Sequence, residues 1–445
     1  MFDHSSTYTH HQLSLLAKGD YSLTDNVQIF GAYGYAHGIE SYTGPGLSYL
    51  ENEQGDATVY NLPDTSDMHT SVGRVGAHIT AKTGPVRNEI TVNGDYLQIL
   101  AGYFYEYGDS YSTNIYHPIA LTPLVPKVAG LKNIPNTNLN RLSSVAIADV
   151  ATAFNGKLIV IGGVRGQWVG EKEYFSEIDR GSNNTPVGVA CTENCSYNKG
   201  VASPSIAAMY HLPKGFSVYG NFMQDLQQGP TAPDGSANQS QVFAPYVAKQ
   251  EEVGAKYEHG SLLATAALFQ ITEPNGVLNP TTNLYAVNGD QRNRGLELEV
   301  SGNIVPSIRV NGGISFIDAR QRNTGVTFEN DSNDTGGTDG KRAQGIPGTQ
   351  SNLNVEWTVP KLRSLNLDAR VVASNGQWGD TAEQLRIPAW ARLDIGGRYQ
   401  IKTKYPIDLR VNIDNVTGNN YYESGLLGLS LGAPRALRIS SGIHF

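Results

Sequence analysis

No stretch of the 445 residues approaches the roughly 20 consecutive apolar residues of a membrane helix. A helical membrane protein is therefore excluded. A chain that crosses a membrane with strands is not, because such strands alternate lipid-facing and lumen-facing residues and their mean hydropathy looks polar. Basic blocks are also lacking. Net charge is −8, with no cluster of Lys or Arg of the kind that tracks a phosphate backbone, which argues against a nucleic-acid partner. Catalytic signatures are missing as well: there is no Gly-x-Ser-x-Gly elbow, no P-loop and no His-Glu-x-x-His, so no enzyme is expected. The start, Met1-Phe-Asp-His-Ser-Ser-Thr, has neither the basic nor the apolar region of a secretory signal.

Cysteine is scarce. Cys191 and Cys195 are the two in the chain, spaced Cys-Thr-Glu-Asn-Cys in a polar segment without a nearby histidine. A zinc site needs more ligands than this, and a loop disulfide in an oxidising compartment fits the pair better. His10-His11 would point to opposite faces of a strand and make poor joint ligands. Asp331-Ser-Asn-Asp-Thr-Gly336 opens like a calcium loop, but the twelfth position is Arg342 where a bidentate acid is needed. No metal site and no resident cofactor are expected.

What the chain has is alternation. Ile407, Leu409, Val411 and Ile413 fall on one face, with Asp408, Arg410, Asn412 and Asp414 on the other. The same period of two runs through Val27–Tyr35, Phe216–Phe222, Leu296–Val300 and Leu365–Ala373. Many of these runs exceed the usual 5–6 residues of globular strands and suit the roughly 9–11 of a membrane-crossing strand. Connections sort into two kinds. Short turns fall at Tyr21–Asn26, Thr83–Pro85, Asn155–Lys157, Pro213–Gly215, Glu258–Gly260, Asn303–Pro306, Val359–Lys361 and Lys402–Pro406. Long polar segments cover 38–67, 104–138, 173–199, 227–244, 274–282, 321–346, 377–386 and 416–432. The two kinds alternate almost strictly, which is the asymmetry of an outer-membrane barrel, with short turns inside and long loops outside. The count is about 17 strands. An odd count starts outside and ends inside, so its first and last strands cannot pair antiparallel. The end of the chain, with Leu437, Ile439, Ile443 and Phe445 on one face, resembles the terminal strand read by barrel-assembly machinery.

Several stretches resemble one family, the TonB-dependent siderophore receptors of ferrichrome type. They are Lys249-Gln-Glu-Glu-Val-Gly-Ala-Lys-Tyr-Glu258, Ser261–Thr272, Gln291-Arg-Asn-Arg-Gly-Leu-Glu-Leu-Glu-Val-Ser-Gly302, Val411-Asn-Ile-Asp-Asn-Val-Thr-Gly-Asn-Asn-Tyr-Tyr422 and Gly432-Ala-Pro-Arg435. The resemblance implies an all-β, antiparallel transmembrane barrel of about 22 strands. It also implies an N-terminal plug, a ferric siderophore as cargo and energy delivered by TonB. Residues 1–445 are then one barrel domain, incomplete by about five strands and without its plug, so that TonB would act only through a part lying elsewhere. Outer-membrane lipid and lipopolysaccharide are the expected surroundings. A passive porin and a non-functional receptor fragment are the alternatives, and haem or vitamin B12 stay open as other ligands.

Candidate ligand contacts are the aromatics in or beside the long segments. They are Tyr103, Phe104, Tyr105, Tyr107, Tyr111 and Tyr116, then Trp168, Tyr174 and Phe175, then Trp378, Tyr421 and Tyr422. A siderophore already fills the coordination shell of its iron, so stacking and hydrogen bonding by Tyr and Trp would suffice to hold it. Glu297, Glu299, Asp368, Arg370, Asp394, Arg398, Asp408 and Arg410 are expected to face the lumen, pairing with one another and with a plug.

Overall fold

The computed structural model describes residues 7–52, 54–61, 63–105, 110–114, 117, 134–180, 186–190, 196–227, 229–233, 235–239, 241–279, 282–324, 338–380, 383–425 and 428–443. Seventeen strands form one antiparallel meander in which each strand pairs with the next in sequence. They are β1 Thr7–Thr24, β2 Val27–Thr43, β3 Asp64–Thr83, β4 Val86–Tyr105, β5 Asn136–Ala153, β6 Leu158–Glu173, β7 Ser196–His211, β8 Phe216–Gln227 and β9 Tyr246–His259. The second half comprises β10 Leu262–Leu278, β11 Tyr285–Val305, β12 Ile308–Arg322, β13 Thr349–Thr358, β14 Leu365–Ser374, β15 Trp390–Ile401, β16 Ile407–Asp414 and β17 Ala436–Ile443.

Local chemistry sets the short connections. The β3–β4 and β9–β10 hairpins close through the two-residue loops Gly84-Pro85 and Gly260-Ser261, each with its glycine at φ 60°. Glycine at the first position is what a type II′ turn requires. Longer connections carry small sheets of their own. Pro45–Leu50, Asp56–Asn61 and Ser110–Asn114 make one of three strands, bringing the first two long segments together.

Register separates the wall into two faces. One continuous cross-strand row reads Leu13, His37, His69, Leu100 and Leu139. The apolar side chains of this face stand bare: Val75 is 67% exposed and Ile439 73%. Such a face belongs against lipid. The other face is polar and self-paired. Asp95 receives Arg74 Nε and lies 3.5 Å from Arg165. Asp368 meets Arg410 at 3.5 Å, Glu356 meets Arg398 at 4.0 Å and Asp414 meets Arg438 at 2.5 Å. The expected lumen-facing residues Asp368, Arg370, Asp394, Arg398, Asp408 and Arg410 all lie on this face, as do Glu297 and Glu299. Among the described residues no strand pairs with the free edge of β1 or of β17; each has one neighbour, and every residue of both strands is exposed.

Candidate functional site

The polar face holds a recess near the end that carries the long connections. Its volume is about 480 Å³, and its lining includes Ser315, Gln350, Asn352, Ser374, Gln377, Trp390 and Glu423. The strands β12 to β15 supply the first four and Trp390 at matching register, since Ser315 lies opposite Gln350, Gln350 opposite Ser374, and Ser374 opposite Trp390. Amide and hydroxyl groups around one indole suit a ligand with amide, hydroxyl or aromatic surface.

Trp390 is fixed from behind. Its ring stacks on Tyr421 at 4.1 Å between centroids and 22° between planes. Arg392 Nη1 donates to Tyr421 Oη at 3.2 Å, and the same guanidinium grips Asp394 through Nε at 3.1 Å and Nη2 at 3.2 Å. The Nη2 hydrogen bond and the close Nε–Oδ1 ion-pair contact together hold the guanidinium against the carboxylate. Asp394 Oδ1 then accepts the backbone N–H of Asn415 at 2.7 Å. The side chain of Asn415 holds the last long connection, donating to the carbonyls of Asn419 (2.8 Å) and Ala433 (3.1 Å) and accepting the N–H of Asn419 (2.9 Å). Gly432 makes room for Tyr421, because a Cβ there would fall 2.2 Å from the ring. The recess therefore has a rigid back wall.

The candidate aromatics distribute unevenly around this site. Tyr421 is buried behind Trp390 and Tyr422 is exposed beside it. Trp378 sits in the short pairing Gln377–Trp378 with Arg386–Ile387, next to recess-lining Gln377. Tyr103 lies on the polar face of β4, far along the sheet. Phe104, in the same strand, is 1% exposed. Tyr111 is half-buried in the three-stranded sheet above the wall, opposite Val59. Trp168 faces the lipid side: it shares its strand face with Gly166, which pairs with lipid-facing Val145, and it lies across Gly200, where a Cβ would meet the indole at 2.6 Å. Tyr174 carries Lys172 Nζ 4.6 Å above its ring. Tyr107, Tyr116, Cys191, Cys195, Phe445 and the 331–336 segment lie outside the described residues, as do the side chains of Tyr105 and Phe175. Leu437, Ile439 and Ile443 stand on the apolar face opposite Ile413, Val411 and Ile407.

Sequence reasoning missed Trp390, Gln350, Asn352, Gln377 and Glu423. Trp390 opens a strand and alternates with Leu393 and Ile395 out of phase, which marks it as facing the lumen; the rest requires cross-strand register.

Comparison with known proteins agrees with the wall geometry. The family model described as "TonB dependent receptor-like, beta-barrel" matches residues 2–416. The chain is 27% identical over 97% of its length to a ferrichrome receptor, FcuA, of Yersinia enterocolitica, and spans 55% of that receptor. Among solved structures it superposes on BauA, the ferric preacinetobactin receptor of Acinetobacter baumannii, with TM-score 0.82 and 25% identity, covering 98% of this chain and 63% of that one. Against Fiu, the ferric-catecholate import receptor of Escherichia coli K12, the TM-score is 0.76 at 18% identity, covering 100% of this chain and 65% of the other.

Proposed function

Since the chain belongs to the TonB-dependent receptor-like β-barrel family and is built as an outer-membrane wall, we propose that it forms the barrel of a receptor importing ferric siderophores with energy from TonB. The observation that carries this reading is the match of 97% of this chain to 55% of a ferrichrome receptor, combined with a polar lumen face that bears an indole-walled recess. In this reading Trp390 stacks on the ligand's flat groups, while Gln350, Asn352, Ser374 and Gln377 hydrogen-bond its amides and hydroxyls. Tyr421, Arg392 and Asp394 position the indole and do not touch the ligand. The iron travels as cargo inside its chelator. TonB acts through a part of the receptor other than this wall, Leu437, Ile439 and Ile443 serve barrel assembly at the terminal strand, and Cys191 joins Cys195 in a surface loop.

The test is binding and uptake of ferrichrome, ferric catecholates and ferric hydroxycarboxylates by cells producing the receptor that carries this barrel. One class is expected to be imported only when TonB is present. Trp390→Ala should then weaken its binding about tenfold, equivalent to about 1.4 kcal/mol, which lies within the range of a lost aromatic contact. Equal small-solute leakage with and without TonB, and no ferric-siderophore binding, would instead identify a passive pore.

A further inference from the structure

Two histidines and an aspartate meet on the lipid-side face of the wall, away from the recess. We propose that His37, Asp67 and His69 hold a divalent ion of the zinc class on the outer surface of the barrel, separate from any cargo iron. His37 of β2 lies directly opposite His69 of β3, and Asp67 precedes His69 by two residues on the same strand and the same face. The potential ligand atoms of all three lie within 4.8 Å of one another. His37 Nε2 is 2.8 Å from Asp67 Oδ1, and His69 Nε2 is 3.4 Å from the same oxygen. Both imidazoles thus aim one nitrogen at one carboxylate oxygen.

The surroundings fit a metal site in a second way. The other ring nitrogen of His69 is 3.0 Å from Tyr35 Oη. When Nδ1–H donates to that oxygen, Nε2 keeps its lone pair for a metal, which is the outer-shell arrangement that fixes a ligating histidine. The rings of His37 and His69 stack at 4.1 Å and 8°, so a small rotation of each is needed to converge on one ion. Two imidazoles and one carboxylate favour zinc, copper, nickel or cobalt over calcium and magnesium, which prefer all-oxygen shells. All three side chains are roughly a third exposed, so a coordination position stays open toward the outside. Its height is also informative. His37 is ten residues above the turn at Val27, and a strand rising about 3.3 Å per residue at about 45° places it roughly 23 Å up, at the upper rim of an apolar band about 25 Å tall. An ion there faces polar headgroups, so it escapes the cost of charge in hydrocarbon.

The site differs from His10, which lies on the polar face against Glu40 at 2.9 Å. Its test uses the protein purified without a histidine tag in detergent micelles, titrated with Zn²⁺ by calorimetry and with Co²⁺ by visible absorption. One ion per chain and the absorption of a low-symmetry cobalt site are expected, with both lost in the His37→Gln/His69→Gln double variant. Tyr35→Phe keeps all three ligands and should weaken affinity about tenfold. Undiminished stoichiometry in the double variant, or no binding tighter than millimolar in the parent chain, would overturn the proposal.

Discussion

Asn415 ties the recess to the last long connection. It is 1% exposed, sits at φ 49° and uses both ends of its amide on backbone groups of Asn419 and Ala433. Asparagine tolerates the left-handed conformation far better than alanine and caps its own turn at the same time. Asn415→Ala removes the three hydrogen bonds that its amide makes to the backbone of Asn419 and Ala433, in addition to adding backbone strain. The expected loss is about 2–4 kcal/mol of local stability, and the Tyr421–Trp390 stack should loosen with it. The measurement is denaturant-dependent tryptophan fluorescence of the micellar protein, where an unchanged transition and unchanged emission would refute the clamp. The residues Val411–Tyr422 are legible in the sequence as a family-like run, but the reason an asparagine stands at 415 is visible only once Asp394 and Ala433 are brought beside it.

At the scale of the element, the alternation of short turns and long connections was readable because each cause is local: period-two hydropathy, and Gly, Pro, Asn and Asp at the turns. The boundaries shifted where strands run past the membrane. β2 continues to Thr43 and β3 begins at Asp64, so part of the 38–67 segment is wall, and Tyr103 and Phe104 remain inside β4. The face of Trp168 was also legible, because Arg165 and Gln167 occupy the opposite phase, yet nearness to a loop outweighed that signal. The recess and the histidine pair were not legible, since each joins residues whose proximity depends on pairing register.

The small sheet above the wall makes its own prediction. Asp56 accepts hydrogen bonds from Asn52 Nδ2 and Asn114 Nδ2, both at 2.9 Å, and these hold its carboxyl below the ordinary carboxylate range. A depressed folded-state value contributes stability that is fully present above the unfolded value, near pH 3.9, and is lost as pH falls through the folded one. Pepsin cleavage between residues 45 and 61 should therefore rise as pH drops below about 4, relative to an Asp56→Asn variant that cannot titrate. A constant ratio between the two proteins across pH 5 to 2 would remove Asp56 from the account.

For the whole molecule, the decisive feature is that β1 and β17 each have one partner strand among the described residues. β1 begins at the end with the long connections and β17 finishes at the end with the short turns, so the two run parallel and cannot close the meander as an antiparallel pair. Each edge presents a row of backbone N–H and C=O groups, and in hydrocarbon an unsatisfied group costs several kcal/mol. Residues 1–445 alone are therefore expected to give no ferric-siderophore-dependent growth in a strain lacking its own receptor. In micelles, the amides of β1 and β17 that point away from β2 and β16 should exchange with deuterium far faster than those of the central strands. Co-production of strands able to pair with both edges should slow that exchange, because the same backbone groups then enter a ladder. Growth rescue by the 445 residues alone, with slow exchange at both edges, would mean that the meander closes on itself by a pairing different from the one described, and the assignment of the recess to a lumen would fall with it.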